Sequence, residues 1–169
     1  ASGDLPASVR VLKDLPAGCA TVSDDEGRAM LELVYDIVPG ANLLFHTAGP
    51  EFTDVSLAGA ITNLANGGAK VIVDDVGISE EPWFQDSRSA RAVDAVRGRG
   101  VAYFAVAGND GRDSYESAFE FSNQFPEGAV SGEAHDFNPV IGQVDTCQTI
   151  TAGANTILRV ILQWDQPYK

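Results

Sequence analysis

Residues 101–111 read VAYFAVAGNDG, an uninterrupted apolar run that passes directly into a glycine-rich turn. A short apolar run containing β-branched and aromatic residues predicts a strand that is buried on both faces. Two similar runs lie upstream, Leu43–Phe45 and Val71–Val73, and the alternating stretch Val9–Leu15 predicts a further short strand. Continuous apolar strands of this kind are typical of parallel sheets whose two faces are covered by helices.

Patterns typical of helices separate these strands. Ser23 and Glu26 have capping-box spacing, and an apolar stripe follows at i, i+3, i+4 and i+7, formed by Met30, Leu33, Val34 and Ile37. A second helix is predicted from Asp54 to Asn66, and a third begins at Ser87 or Ser89. Strands that alternate with helices predict right-handed βαβ units, so we expect an α/β fold with a parallel, doubly wound sheet.

The character of the chain changes after about residue 128. Residues 146–151 (TCQTIT) and 155–164 (NTILRVILQW) are rich in β-forming residues and flank the turn 152–154. This pattern predicts an antiparallel hairpin. We therefore expect two parts, an α/β core over residues 1–127 and an antiparallel β-rich segment over residues 128–169, which would begin a β-sandwich-like domain.

The composition excludes several classes of partner. The chain has 169 residues, with 24 acidic and 11 basic side chains and a formal net charge of −13. Nucleic-acid binding and adsorption to an anionic membrane both require clustered Lys and Arg, so we expect neither partner. No apolar run reaches the roughly 18 residues of a membrane span, and residues 1–6 lack a signal-peptide pattern. Cys19 and Cys147 form no metal or redox motif, which leaves free thiols and a single disulfide as alternatives.

The carboxyl ends of parallel strands are where such folds place their functional groups. Asn109 follows the last predicted strand; its amide could stabilise an oxyanion, or the 108–111 turn could simply use its conformational freedom. Glu26 could act as a general base or acid, or it could cap its helix together with Ser23. Adjacent residues of a strand point to opposite faces, so one of Asp74 and Asp75 should face a cleft.

Other polar residues have plainer interpretations. His46 also lies at a strand end, but a single His is more often a satisfied structural residue than a ligand. Three carboxylates between the second and third helices are predicted to form a solvated acidic loop: Glu80, Glu81 and Asp86. His135, Asp136 and Asp145 are interpreted as loop residues.

Four short segments, taken in order, carry a resemblance to a known family. They are 25–30 (DEGRAM), 38–41 (VPGA), 71–77 (VIVDDVG) and 106–109 (VAGN). In this order they resemble the middle of a subtilisin-like serine peptidase domain, in a bacterial subgroup of the subtilase and sedolisin superfamily. The likeness extends over about residues 1–125, and the β-rich tail is similar to a segment that such proteins insert before their catalytic Ser.

The resemblance implies roles for individual residues. Asn109 matches the oxyanion-hole Asn, and Glu26 lies where subtilases have the triad His and sedolisins have Glu. Asp75 lies at the end of the substrate-lining strand, where it would orient Glu26 or share a proton with it. Val76, Gly77 and Gly108 would line the substrate. No segment of this sequence matches the strand that carries the family's catalytic Asp or the helix that carries its Ser, so we expect the isolated chain to be inactive.

The resemblance also implies partners and a location. We expect a secreted bacterial serine endopeptidase whose partners are a peptide or protein substrate and the remaining segments of the same peptidase domain. No cofactor is expected, and calcium is implied by the resemblance alone. The alternative is a non-catalytic, peptidase-like scaffold that binds peptides or partner domains. The missing His favours this alternative, as does Met30, which stands where sedolisins have an Asp.

Overall fold

The computed structural model describes residues 4–19, 25–111, 113–138 and 140–166. Within these residues it contains three helices and four strands. In chain order they are β1 (Arg10–Lys13), α1 (Glu26–Ile37), β2 (Leu44–His46), α2 (Asp54–Asn66), β3 (Val71–Asp74), α3 (Arg88–Arg97) and β4 (Ala102–Ala105). The chain divides into two compact units, one formed by residues up to 108 together with residues from 161 onward, the other by residues 109–160. The general α/β class predicted from the sequence is confirmed.

The strands of the first unit form two parallel pairs. In one pair Arg10 lies opposite Leu44, and the register shifts between Val11 and Lys13. In the other pair the register is regular, from Val71 opposite Ala102 to Asp74 opposite Ala105. The expected single sheet is therefore present as two separate two-stranded sheets in the described residues, because β2 and β3 do not pair. Strand pairing is set by contacts distant in sequence, which local patterns do not report.

Helix α2 begins and ends where its sequence predicts. The Thr53 hydroxyl accepts from the Ser56 amide at 3.2 Å, and the Ser56 hydroxyl accepts from the Thr53 amide at 2.8 Å, which forms a capping box. The helix stops at Gly67 and Gly68, and Gly68 has a φ of +101°, which favours glycine. The capping box satisfies the backbone amides of Thr53 and Ser56, and the two glycines end the helix after Asn66.

The core of the first unit lies between α2, α3 and one face of the β3–β4 sheet. Ile61 and Val96 are its most deeply buried large side chains, and Ile72 and Val101 pack against them. The opposite face of the same sheet is uncovered, since Val73 is 50% and Phe104 is 59% exposed. A sheet that is apolar on both faces is thus covered on one face only.

Helix α1 forms as predicted but is not buried as predicted. Its second residue lies beside β2, where a Cβ on Gly27 would be only 2.6 Å from the Phe45 ring. Gly67 at the end of α2 lies against Leu44, so β2 has a helix near each of its faces. The apolar stripe of α1 nevertheless has no buried residue, and Ile37 is 81% exposed. Ser23 of the predicted capping box lies outside the described residues.

The predicted antiparallel hairpin is not formed. Described residues 140–166 contain no strand, and an isolated antiparallel bridge joins Phe121 and His135 further upstream. A two-stranded hairpin is marginally stable without a surface to pack on. Ile157 and Leu162 within this segment are 96% and 78% exposed, so the packing that would stabilise a hairpin is not present at these residues. The predicted domain boundary after residue 127 falls inside the second unit.

Candidate functional site

The carboxyl ends of β3 and β4 bring two predicted segments to the same sheet edge. The Val106 amide donates to the Asp74 carbonyl at 3.2 Å, which extends the parallel register by one step beyond the strands. Residues 75 and 106 therefore lie side by side at the sheet edge, from which residues 76–77 and 107–108 continue the chain. Asp75, Gly77 and Gly108 are exposed, and Val76 is half-buried against the core. Four of the six predicted site residues, Asp75, Val76, Gly77 and Gly108, follow the ends of this strand pair by one to three positions.

Asp74 and Asp75 face opposite sides, as the sequence predicts. The Asp74 carboxylate accepts hydrogen bonds from the Tyr103 hydroxyl on β4 and, at 3.3 Å, from the Val76 amide. Asp75 is exposed. Burial raises the pKa of Tyr103 strongly, and the bond to Asp74 together with the negative charges of Asp74 and Glu81 raises it further. Asp74 thus fixes the sheet edge from the core side and leaves Asp75 directed to solvent.

Glu26 occupies the first position of α1 and is exposed. A carboxylate at this position is stabilised by the positive end of the helix dipole. Asp25 is the N-cap residue, but its carboxylate pairs with Arg28 at 2.9 Å instead of capping the helix. Because Gly27 lies against Phe45, Glu26 belongs to the β1–β2 half of the first unit, whereas Asp75 follows β3. The two predicted catalytic carboxylates therefore lie beside different two-stranded sheets, Glu26 on α1 and Asp75 after the end of β3.

Asn109 is the first residue of the second unit and is exposed. The turn that contains it forms as predicted: Gly108 and Gly111 have φ values of +78° and +58°, and the Asp113 amide donates to the Asp110 carbonyl at 2.9 Å. An exposed amide in a glycine-flanked turn could stabilise an oxyanion or could simply be a turn residue. Both interpretations of Asn109 therefore stay open.

His46 is a satisfied structural residue. Its Nδ1 lies 2.7 Å from the Thr47 carbonyl, which can only accept, so Nδ1 carries the proton. Nε2 is then an acceptor, and it receives a hydrogen bond from the Asn63 side chain of α2 at 3.1 Å. Both ring nitrogens are occupied, and the contact ties α2 to the end of β2.

A buried hydrogen-bond cluster, Glu81 with Ser87, Ser89 and Asp54, was not anticipated from the sequence. Ser87 and Ser89 are buried, and both hydroxyls donate to the Glu81 carboxylate. Asp54 accepts from the backbone amides of Arg88 at 2.9 Å and Ser89 at 2.8 Å. The prediction that Glu81 belongs to a solvated loop is wrong. Two serines spaced i, i+2 at a helix start are the sequence signal that could have indicated a buried acceptor nearby.

The charge state of Asp54 reflects this cluster. Burial by itself would raise the pKa of Asp54, but the hydrogen bonds donated by the backbone amides of Ser89 and Arg88 outweigh it and lower the pKa overall. The loop between β3 and α3 is also held by Gln163, whose side chain accepts from the Trp83 amide at 2.9 Å and donates to the Glu81 carbonyl at 2.8 Å. The chain that follows the candidate site is therefore anchored.

In the second unit, His135 lies near a serine but cannot serve it as a base. Its Nδ1 accepts from the Glu120 amide at 3.0 Å, so the ring proton of the neutral imidazole is on Nε2. Nε2 faces the Tyr115 and Ser117 hydroxyls at 2.9 and 3.2 Å and can only donate to them. The Asp136 carboxylate accepts two backbone amides, which lower its pKa, as expected of a loop residue.

Several further properties bear on the class of site. Among the described residues, no three His, Cys, Asp or Glu side chains are grouped as a metal ion would require. Cys19 and Cys147 are free thiols. Within the described part of the chain, no helix is long and apolar enough to cross a membrane. Comparison with protein-family models, with curated proteins and with solved structures gives no match.

Proposed function

We propose that this chain is the middle part of a secreted bacterial serine endopeptidase of the subtilisin-like class, and that it is inactive in isolation. The observation that carries the proposal is the edge shared by residues 75–77 and 106–108. Two chain segments that leave neighbouring parallel strands, each with an exposed glycine, leave room for the backbone of a peptide substrate. This is the position at which α/β sheets bind their ligands.

The proposed roles follow the order of the residues along the chain. A Ser supplied by another segment attacks the peptide carbonyl, and Glu26 accepts its proton. Asp75 orients Glu26 or shares a proton with it, and the Asn109 amide donates a hydrogen bond to the oxyanion. Val76, Gly77 and Gly108 line the substrate. Glu26 lies on α1 beside the β1–β2 sheet and Asp75 follows β3, so this mechanism requires the remaining segments of the domain to join the two halves.

The distribution of apolar surface supports a larger domain. One face of β3–β4 and the stripe of α1 are exposed, with Val71, Phe104, Leu33 and Ile37 among the uncovered side chains. Contiguous exposed apolar surface marks a site of interaction. In the proposed protein the remaining segments cover these faces and complete the doubly wound sheet. No cofactor is needed for this chemistry, and calcium rests on the family resemblance alone.

The proposal is tested by peptide hydrolysis at several pH values, using the isolated chain and the full-length protein. The isolated chain should give no turnover. In the full-length protein, Asn109→Ala should lower kcat by about 10²–10³, the usual cost of losing one oxyanion donor, and Glu26→Gln should abolish activity. Asp36→Asn, an exposed position on the same helix, is the control and should be silent. Two carboxylates without an imidazole predict an acidic optimum; maximal activity above pH 8 would contradict Glu26 as the base.

A second function is favoured by one observation. Met30, one turn after Glu26, is half-buried on α1, so this helix offers no second carboxylate at that position. A non-catalytic scaffold that binds peptides or partner domains would not need one. The complete gene distinguishes the two functions: a Gly-Thr-Ser motif downstream supports the peptidase, and its absence supports the scaffold.

A further inference from the structure

The turn that follows β4 contains the single Asp-Gly pair of the sequence, Asp110–Gly111, and α2 ends at its single Asn-Gly pair, Asn66–Gly67. In such pairs the backbone nitrogen of the glycine can attack the side-chain carbonyl carbon of the residue before it, because glycine has no Cβ to obstruct the approach. The two groups are held close together by the chain, which favours closure of a five-membered succinimide ring. The local structure therefore decides which pair reacts.

The Asp110–Gly111 pair is open to this reaction. Both residues are exposed, and a Cβ placed on Gly111 would meet no atom within 4 Å. Among the described residues, neither the Asp110 carboxylate nor the Gly111 amide has a hydrogen-bond partner. The attacking nitrogen and the carbon that it attacks are thus both unrestrained, and solvent reaches them.

The peptide group that joins Asp110 to Gly111 is also polarised. Its carbonyl oxygen accepts a hydrogen bond from the Asp113 amide at 2.9 Å. This bond draws electron density from the nitrogen of the same peptide group, because oxygen and nitrogen share one delocalised system. Loss of the Gly111 amide proton, which makes the nitrogen nucleophilic, is thereby favoured. The turn leaves the pair accessible and also promotes its first chemical step.

The Asn66–Gly67 pair is held by hydrogen bonds. The Gly67 amide donates to the Asn63 carbonyl at 2.8 Å, and the Asn66 side-chain oxygen accepts from the Arg99 side chain at 3.0 Å. A nitrogen held in this way reacts only when the end of the helix opens, and such opening costs free energy. This second pair is therefore protected in the folded protein and serves as an internal control.

We propose that Asp110–Gly111 is a site of spontaneous isoaspartate formation. The Gly111 nitrogen bonds to Cγ of the protonated Asp110 carboxyl group while a Cγ–O bond breaks, and the amide proton and the hydroxyl group leave as water. Water then opens the succinimide ring. Attack at Cγ restores aspartate, whereas attack at the main-chain carbonyl carbon gives isoaspartate, whose backbone runs through Cβ and Cγ. One water is lost and one is gained, so the mass is unchanged.

The rearrangement alters the chain directly after Asn109, the first residue of the second unit. It lengthens the backbone by one atom, and the carbonyl that accepts from Asp113 becomes part of a carboxylate outside the backbone. The turn then loses the geometry that holds Asn109. The modification site itself does not depend on the proposed function. Its consequence does: in the proposed peptidase the modified chain has a displaced oxyanion donor and loses activity.

Peptide mapping of aged protein tests the proposal. Isoaspartate is identified by fragmentation in the mass spectrometer and by its methylation by an isoaspartate methyltransferase. Full-length protein is incubated folded and, in parallel, unfolded in guanidinium chloride. The rate at Asp110 in the folded protein should be at least about one-fifth of the unfolded rate, whereas Asn66 should react at least about 100-fold faster when unfolded. A stronger slowing at Asp110 on folding would overturn the proposal. Equal rates at Asn66 would contradict the protection on which the comparison depends.

Activity measured on the same samples tests the consequence. The kcat for peptide hydrolysis should fall in proportion to the fraction of isoaspartate at position 110. Asp110→Glu is the matched control, because it keeps the charge but would need a six-membered ring, and it should retain its activity during ageing. Isoaspartate in a protein that hydrolyses no peptide would retain the modification site and reject the peptidase. Peptide hydrolysis without isoaspartate at position 110 would do the reverse.

Discussion

Tyr103 on β4 donates its hydroxyl hydrogen bond to the Asp74 carboxylate at the end of β3, so side chains as well as backbone join these two strands at the candidate site. The register places Tyr103 opposite Ile72, which makes Asp74 its diagonal neighbour on the core-facing side. The bond holds the edge from which residues 75–77 and 106–108 emerge. Its strength therefore bears on the geometry of the proposed substrate site.

Removing the Tyr103 hydroxyl should destabilise the first unit. Tyr103→Phe leaves a half-buried carboxylate with one donor fewer, which typically costs about 1–3 kcal/mol of unfolding free energy. Tyr35→Phe, at a half-buried position on α1, is the matched control and should change the unfolding free energy by less than about 0.5 kcal/mol. Urea denaturation measures both, and equal effects would show that the bond to Asp74 contributes nothing.

Tyr103 should also make the folded chain less stable at high pH. The pKa of Tyr103 is raised in the folded chain, so its contribution is fully present below the unfolded pKa of about 10 and is lost as the pH rises beyond it. Between pH 9 and pH 11 the unfolding free energy of the wild type should fall more steeply than that of Tyr103→Phe. Identical slopes in the two proteins would contradict the raised pKa.

Two glycines in helices should respond in opposite ways to alanine. At Gly59 in α2 a Cβ would contact nothing, so Gly59→Ala should stabilise the chain by about 0.5–1 kcal/mol through helix propensity. At Gly27 in α1 a Cβ would overlap the Phe45 ring, so Gly27→Ala should be destabilising despite the same propensity gain. Thermal or urea unfolding of the pair decides this; stabilisation by both would mean that α1 does not lie against β2.

Replacing Glu81 should lower the unfolding free energy, whereas replacing its neighbour Glu80 should have little effect. Glu81→Ala removes the acceptor shared by the buried Ser87 and Ser89 hydroxyls, and a cost of about 2 kcal/mol is expected. Glu80→Ala, an exposed carboxylate one residue earlier, should change stability by no more than about 0.5 kcal/mol. If the two variants unfold at the same urea concentration, the cluster has no stabilising role.

Asp54 should make the folded chain less stable at low pH. Its pKa is lowered in the folded chain, so its contribution is present above the unfolded value of about 3.9 and is lost as the pH falls through the folded pKa. Asp54→Asn should therefore show a shallower loss of unfolding free energy than the wild type between pH 5 and pH 2. An unchanged slope in Asp54→Asn would contradict the hydrogen bonds to the start of α3.

Local patterns predicted the elements of the first unit well. The 54–66 and 88–97 helices, and strands at 44–46, 71–74 and 102–105, depend on capping, apolar periodicity and turn residues that lie within a few positions of one another. The opposite faces of Asp74 and Asp75 follow from the alternation of a strand. These features are properties of short segments, which a sequence displays directly.

What could not be predicted depends on contacts distant in sequence. The split into two sheets is a matter of which strands pair, and residues 146–164 form no strand although their composition favours one. Glu81 looked like part of a solvated loop because its acceptor role depends on serines six and eight residues further on. The tie between Gln163 and residues 81–83 spans about eighty positions and has no local signature.

In the proposed peptidase, Glu26 and Asn109 of this chain act as general base and oxyanion donor for a Ser located elsewhere in the protein. Labelling of the full-length protein with a fluorophosphonate, followed by mass mapping of the modified peptide, tests this division of roles. We expect a single labelled Ser outside residues 1–169, with labelling slowed by Glu26→Gln and unaffected by Asp36→Asn. Absence of labelling, or modification of a Ser within residues 1–169, would contradict the proposed peptidase.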